Sequence, residues 1–149
     1  GNNECFEPYT SNIYLRRTIA GEFVCINKHL VADLLKLNMW NSDVKNEIIK
    51  NNGSIQSLRK VPSHLKSLYK TVWEISQKAI IDQAAERAPF VCQTQSMNLF
   101  IANPSVKVMS SMHFYVWNKG LKTGIYYLRT QPAAKAQQFT IDVCESCSA

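Results

Sequence analysis

Apolar residues recur three and four positions apart through most of the chain, and strict alternation is confined to short stretches, so the pattern predicts more helix than strand. After a loop-like opening, residues 1–27 hold short extended pieces, with Glu22 to Ile26 the best-formed strand. Asn27 then caps a helix in which Leu30, Val31, Leu34 and Leu35 mark one buried face, ending near Asn38. Ser42, with Asp43 in the first turn, opens a second helix carrying Val44, Ile48 and Ile49, and Gly53 sits where a left-handed C-cap belongs. A third helix starts at Pro62-Ser63, with Leu65, Leu68, Tyr69, Val72, Trp73 and Ile75 as one broad stripe. Ser76 either interrupts that stripe or caps a fourth segment, Gln77 to Arg87, which Pro89 stops. Met97 to Ala102 reads as a strand, and Ser105 caps a last helix with Met109, Met112 and Val116 on one side and Phe114 and Trp117 beside them. Gly120 and Gly124 bracket the end of that helix, Ile125 to Thr130 is a strand, and from Gln131 small polar residues describe a tail. So few strands cannot close a sheet alone. The expected fold is a helix-rich α/β piece that completes a sheet supplied from elsewhere.

Composition changes this picture little: 149 residues at 46% hydrophobic and 19% charged suit one ordinary globular domain. Apolar runs fall far short of the roughly eighteen residues a membrane span requires, so no membrane partner is expected. The opening GNNECFEPYT has neither an initiator Met nor a secretory leader, which points to a piece of something longer. Seventeen Lys and Arg against eleven Asp and Glu give +6. The basic residues are scattered, however, with Arg16-Arg17, Arg59-Lys60 and Lys119 near Lys122 the densest groups, and a solvated surface is preferred over a nucleic-acid stripe. Five cysteines at uneven spacing argue against a secreted disulfide framework and for a reducing compartment, the cytoplasm. Asn52-Gly53-Ser54 matches a glycosylation acceptor but reads as a turn.

Two short motifs could carry chemistry. Cys144-Glu145-Ser146-Cys147 is a C-x-x-C pair close to the last residue, without the following helix that a thioredoxin-type site uses to stabilise its thiolate. It is either a mobile dithiol that reacts with other proteins or a pair of idle cysteines. Tyr126-Tyr127 ordinarily means packing, because a regular strand turns neighbours to opposite faces. A functional reading needs both phenols stacked, hence a bend near Gly124. An ordinary phenol is neutral at pH 7, so losing an electron is coupled to losing its proton, and paired phenols can relay a radical. His29, His64 and His113 lack triad or metal spacing. Glu4 and Glu7 precede Pro8 in an extended loop and need not converge as an acid and base pair, and the glycines form no phosphate loop.

Read together, NECFEPYTSNIY from Asn3, NGSIQS from Asn52, LYKTVWEISQK from Leu68, SMHFYVWNKGLKTGIYYLRT from Ser111 and the terminal CESC resemble the C-terminal part of the large, catalytic subunit of eukaryotic-type class I ribonucleotide reductases. The resemblance covers nearly the whole chain. It implies that residues 1–130 are the closing section of a ten-stranded α/β barrel, incomplete as a stand-alone domain, and that residues 131–149 are a flexible tail. Tyr126 and Tyr127 would then be the stacked relay that passes a radical from the small subunit toward the active-site cysteine. Cys144 and Cys147 would be the tail pair that re-reduces the active-site disulfide and is itself reduced by thioredoxin or glutaredoxin.

The same likeness implies further partners and absences. The partners are the small subunit, with its tail docked between the helices of Gln77 to Arg87 and Ser105 to Asn118, together with the rest of the large subunit and its dimer; no nucleic acid is implied. No cofactor is expected in this chain, and a dimetal-tyrosyl radical or its equivalent is expected in the small subunit. The radical-bearing cysteine, the interior redox pair and the nucleotide-binding regulatory region lie in sequence not present here, so the chain alone is expected to reduce nothing. Cys5, Cys25 and Cys92 match no catalytic position. From Arg129 to Cys147 the tail reaches roughly 60 Å if extended and nearer 25 Å as a coil, shorter than the family's usual charged linker. The alternatives are a basic helical module that binds nucleic acid or a protein tail without catalysis, and a stand-alone dithiol protein.

Overall fold

The computed structural model describes residues 6–131, which divide into two compact units, residues 12–69 and residues 6–11 with 70–131. Each unit has its own core.

In the first, Ile13–Thr18 (β1) and Gly21–Ile26 (β2) form an antiparallel hairpin with Ile13 opposite Ile26 and Thr18 opposite Gly21. Gly21 has φ +135°, a conformation that side-chain-bearing residues rarely adopt, and it starts the return strand. Strand β1 was not distinct in the sequence because Arg16-Arg17 interrupts its apolar alternation. Asn27 caps Lys28–Lys36 (α1), its Oδ1 accepting from the amides of His29 and Leu30 at 3.1 and 3.4 Å. Leu30 and Leu34 are buried, but Leu35 is exposed. One residue further on is about 100° around the helix, beyond the narrow stripe that a short helix buries. Helix α2 (Ser42–Lys50) is capped by Asn41, not by Ser42: Asn41 Oδ1 accepts from the Val44 amide at 2.9 Å, and Ser42 is already helical. Two left-handed residues end this helix, Asn52 at φ +55° directly after the C-cap Asn51 and then Gly53 at φ +83°, whose amide donates to Ile48 O at 2.8 Å.

The predicted stripe from Leu65 to Ile75 is divided. Helix α3 covers only Ser63–Leu68; Leu65 and Tyr69 enter the core of the first unit, Leu68 is exposed, and Val72 belongs to the core of the second. The break follows from polar bonds at Thr71 and Val72. The Thr71 amide donates to Glu74 Oε2 at 2.7 Å and the Val72 amide to Tyr9 O at 2.9 Å, which starts a 3-10 turn over Val72–Glu74 in place of helix.

Asn12 ties the first unit together. Its buried amide donates to Gly53 O and Tyr69 O at 2.9 and 3.0 Å and accepts from Asn27 Nδ2 at 2.9 Å, joining the hairpin's start to the residues after α2 and α3. Tyr69 in turn donates its hydroxyl to Asp33 Oδ2 at 2.6 Å. Burial, then the Asp33 carboxylate, pushes the Tyr69 phenol up to about 12, and the same bond followed by Lys36 holds Asp33 below the usual carboxylate range.

The second unit runs from the Val72–Glu74 turn through Gln77–Arg87 (α4), Asn98–Phe100 (β3), Val106–Asn118 (α5) and Tyr127–Arg129 (β4). Strands β3 and β4 pair in parallel, with α5 as the crossover that parallel strands require. Val72, Ile80, Ile81, Ala84, Met97, Leu99, Phe100 and Val116 form the core, and Trp73 meets Phe100 edge-on at 5.2 Å. Gln77 joins three pieces of backbone: Oε1 accepts from the Phe100 amide at 2.8 Å, while Nε2 donates to Val72 O and Ile75 O at 3.2 and 3.1 Å. The architecture is thus mixed and helix-rich as expected. Its two sheets have two strands each, and no barrel closes among the described residues. No described helix is long and apolar enough to cross a membrane.

Replacing Asn12 by Ala leaves two buried carbonyls without its side-chain donor and is expected to lower the local stability of residues 12–69 by about 2–3 kcal/mol. Amide hydrogen exchange at Asn27 and Gly53 in the full-length polypeptide measures this; unchanged protection would refute the bridging role.

Candidate functional site

In the second unit, β3 and β4 place the two tyrosines. Asn98 pairs with Tyr127, Leu99 with Leu128 and Phe100 with Arg129. The ladder continues on both sides, the Tyr126 amide donating to Met97 O at 2.8 Å and the Ile101 amide to Arg129 O at 2.9 Å. The strand is shorter than the predicted Ile125 to Thr130, because the backbone bends at Lys122, Gly124 and Tyr126 before it becomes regular at Tyr127. Gly124 admits a close approach to α5: a Cβ there would lie 3.2 Å from His113 Nδ1.

This bend decides where the phenols go. In a regular strand Tyr126 and Tyr127 would face opposite ways. With Tyr126 outside the strand, their ring centroids lie 4.5 Å apart at an interplanar angle of 76°. The contact is therefore edge to face where a stacked pair was expected, and it is one of the arrangements that the aromatic quadrupole favours. Tyr126 and Tyr127 are 62% and 51% exposed. The Arg129 guanidinium lies over Tyr127 at 4.9 Å from its centroid, a partner that sequence reasoning missed although residues two apart in a strand share a face.

Glu7 was also missed as a structural anchor. It is 1% exposed, and its Oε1 accepts from the Asn98 amide at 2.5 Å, fixing the segment before Pro8 onto the start of β3; Oε2 has no partner among the described residues. Arg87 lies 4.0 Å over the Phe6 ring and donates from Nε to Gln95 Oε1 at 3.3 Å. These long-range contacts have no local signature.

Asp82 bridges α4 and α5. It accepts from Lys78 at 2.8 Å, from Lys119 at 2.9 Å and from the Tyr115 hydroxyl, and both lysines also lie over the Tyr115 ring, at 5.0 and 5.4 Å. Lys78 first, then Tyr115 and Lys119, hold the Asp82 carboxyl far below its ordinary range, and Asp82 raises both ammonium groups. Helix α5 leaves Val106, Phe114 and Trp117 exposed, and Phe90 is exposed after α4.

The three histidines are exposed. Cys25 and Cys92 are free thiols, and no group of metal-ligating side chains converges among the described residues. Cys5, Cys144 and Cys147 lie outside the described residues, as does Glu4.

Comparison with known proteins gives the family. Residues 1–127 match the family model described as "Ribonucleotide reductase, barrel domain". The chain therefore belongs to the ribonucleotide reductase barrel-domain family. It is 61% identical over 142 residues to a ribonucleoside-diphosphate reductase large subunit of Dictyostelium discoideum, covering 95% of this chain and 16% of that protein. It is 58% identical over 142 residues to a large chain of Cryptosporidium parvum, covering 95% of this chain and 18% of that one. A solved structure of an Actinobacillus ureae class Id ribonucleotide reductase alpha subunit superposes with a TM-score of 0.74 at 30% identity, over 85% of this chain and 22% of that chain. The chain thus spans less than a fifth of the length of these two curated relatives.

Removing the charge of Asp82 should loosen the α4–α5 contact. Because the folded carboxyl ionises below its ordinary 3.8, its contribution is complete above that value and is lost as pH falls. Hydrogen-exchange protection of α4 and α5 in Asp82→Asn is expected to drop at pH 7, with the gap to the unsubstituted protein narrowing below about pH 4. Equal protection at pH 7 would contradict the bridge.

Proposed function

We propose that this chain is part of the large subunit of a ribonucleoside-diphosphate reductase and supplies the tyrosine relay that passes a radical from the small subunit toward the active-site cysteine. The observation that carries the reading is the bend at Tyr126, which brings two partly exposed phenols into ring contact in a chain of this family. Each ring can give up an electron together with its proton, and contact at 4.5 Å lets one ring refill the other. The overall reaction replaces the ribose 2'-hydroxyl of a ribonucleoside diphosphate with hydrogen. Two thiols are oxidised to a disulfide and water leaves. Cys144 and Cys147 regenerate that dithiol and are themselves reduced by thioredoxin or glutaredoxin.

In this reading the chain closes a ten-stranded barrel whose other strands come from the rest of the subunit, which acts as a dimer in the cytoplasm. The small subunit carries the dimetal-tyrosyl radical or its equivalent. Its tail docks around α4 and α5, a placement supported by the uncovered Phe114 and Trp117 on α5.

Tyr126→Phe or Tyr127→Phe in the full-length subunit is expected to abolish turnover while nucleotide and small-subunit binding persist; full activity in either variant would overturn the relay. Serine at Cys144 or Cys147 is expected to stop repeated turnover with thioredoxin but spare it with dithiothreitol. Equal loss under both reductants would argue against a shuttling tail.

A further inference from the structure

Arg129 is not accounted for by a relay that needs only two phenols. Its place is built into the sheet: Tyr127 and Arg129 are two apart in β4 and share its exposed face, while Leu128 between them packs against the core. The backbone at Arg129 is held by pairing with Phe100 and by the 2.9 Å bond from the Ile101 amide, which sets the guanidinium over the Tyr127 ring. Among the described residues, Tyr126 has no cation over its ring.

From this asymmetry we infer that Arg129 is a positioning residue that biases the unpaired spin from Tyr127 toward Tyr126. The assignment rests on the relay reading above. A guanidinium is attracted to the electron-rich face of a closed-shell ring. Oxidation to a phenoxyl radical withdraws π density from that face, so the contact stabilises Tyr127 in its reduced form more than as a radical. Tyr126 has no such penalty. The step is Tyr127 phenoxyl plus Tyr126 phenol giving Tyr127 phenol plus Tyr126 phenoxyl. One electron passes from the Tyr126 ring to the Tyr127 ring, the Tyr126 hydroxyl proton goes to the Tyr127 oxygen, and no external oxidant enters the exchange.

The test uses the full-length subunit assembled with its small subunit, carrying ring-deuterated tyrosine at position 126 or 127 so that paramagnetic resonance reports which ring holds the spin after substrate is added and the sample frozen. Arg129→Met keeps the apolar stem and removes the charge; Arg129→Lys keeps the charge. A cation at an exposed ring is worth enough to change the ratio of spin on Tyr126 to spin on Tyr127 about two- to fivefold. The expected result is a shift of that size toward Tyr127 in Arg129→Met, with Arg129→Lys staying near the unsubstituted ratio. An unchanged ratio in Arg129→Met, or equal shifts in both variants, overturns the charge effect while leaving the relay standing. Spin on neither ring in the unsubstituted enzyme overturns the relay and this assignment with it.

Discussion

The parallel ladder between Asn98–Phe100 and Tyr127–Arg129 governs the geometry of the tyrosine pair. Its first bond past the regular strand, from the Tyr126 amide to Met97 O, holds Tyr126 against β3 while the backbone there is still bent. One residue later the strand is regular, and side chains alternate between core and surface. Two adjacent tyrosines thereby reach one another, and Arg129 is carried onto the same face as Tyr127. Without that pairing the motif would be two aromatic residues turned to opposite sides.

The ladder depends on polar anchors as well as on apolar packing. Gln77 reaches the Phe100 amide, Glu7 the Asn98 amide, and Gln95 donates to Ala84 O at 2.7 Å. Gln77 and Glu7 meet backbone amides that a two-stranded sheet leaves unpaired on its other edge, and Gln95 adds a second donor to a carbonyl in the last turn of α4, which also accepts from the Ala88 amide. On the helical side, Asp82 gathers Lys78, Tyr115 and Lys119, so α5, the crossover between the paired strands, is fastened to α4 by a charged cluster. Asn12 plays the corresponding part within residues 12–69.

Much of this was legible along the chain. The Asn27 and Ser105 caps, the α4 segment and the left-handed Gly53 are local events, set by residues within a few positions of one another. The tyrosine pair and the need for a bend near Gly124 were also visible, because period-two alternation makes adjacent aromatics in contact an anomaly. What failed depended on distant partners. The Leu65 to Ile75 stripe was continuous as a pattern, yet Val72 bonds to Tyr9 and the chain changes cores there. Glu7 read only as part of an extended loop, because its partner is the Asn98 amide on β3. The angle between the phenols, edge to face in place of stacked, is a property of the backbone bend that spacing does not encode.

The proposed relay depends on the two phenols touching in the full-length polypeptide. A crystal structure of the full-length subunit bound to its small subunit measures that directly. The expected result is Tyr126 and Tyr127 in edge-to-face contact with centroids near 4.5 Å. Rings turned to opposite faces of β4, each packed among aliphatic side chains, would contradict it.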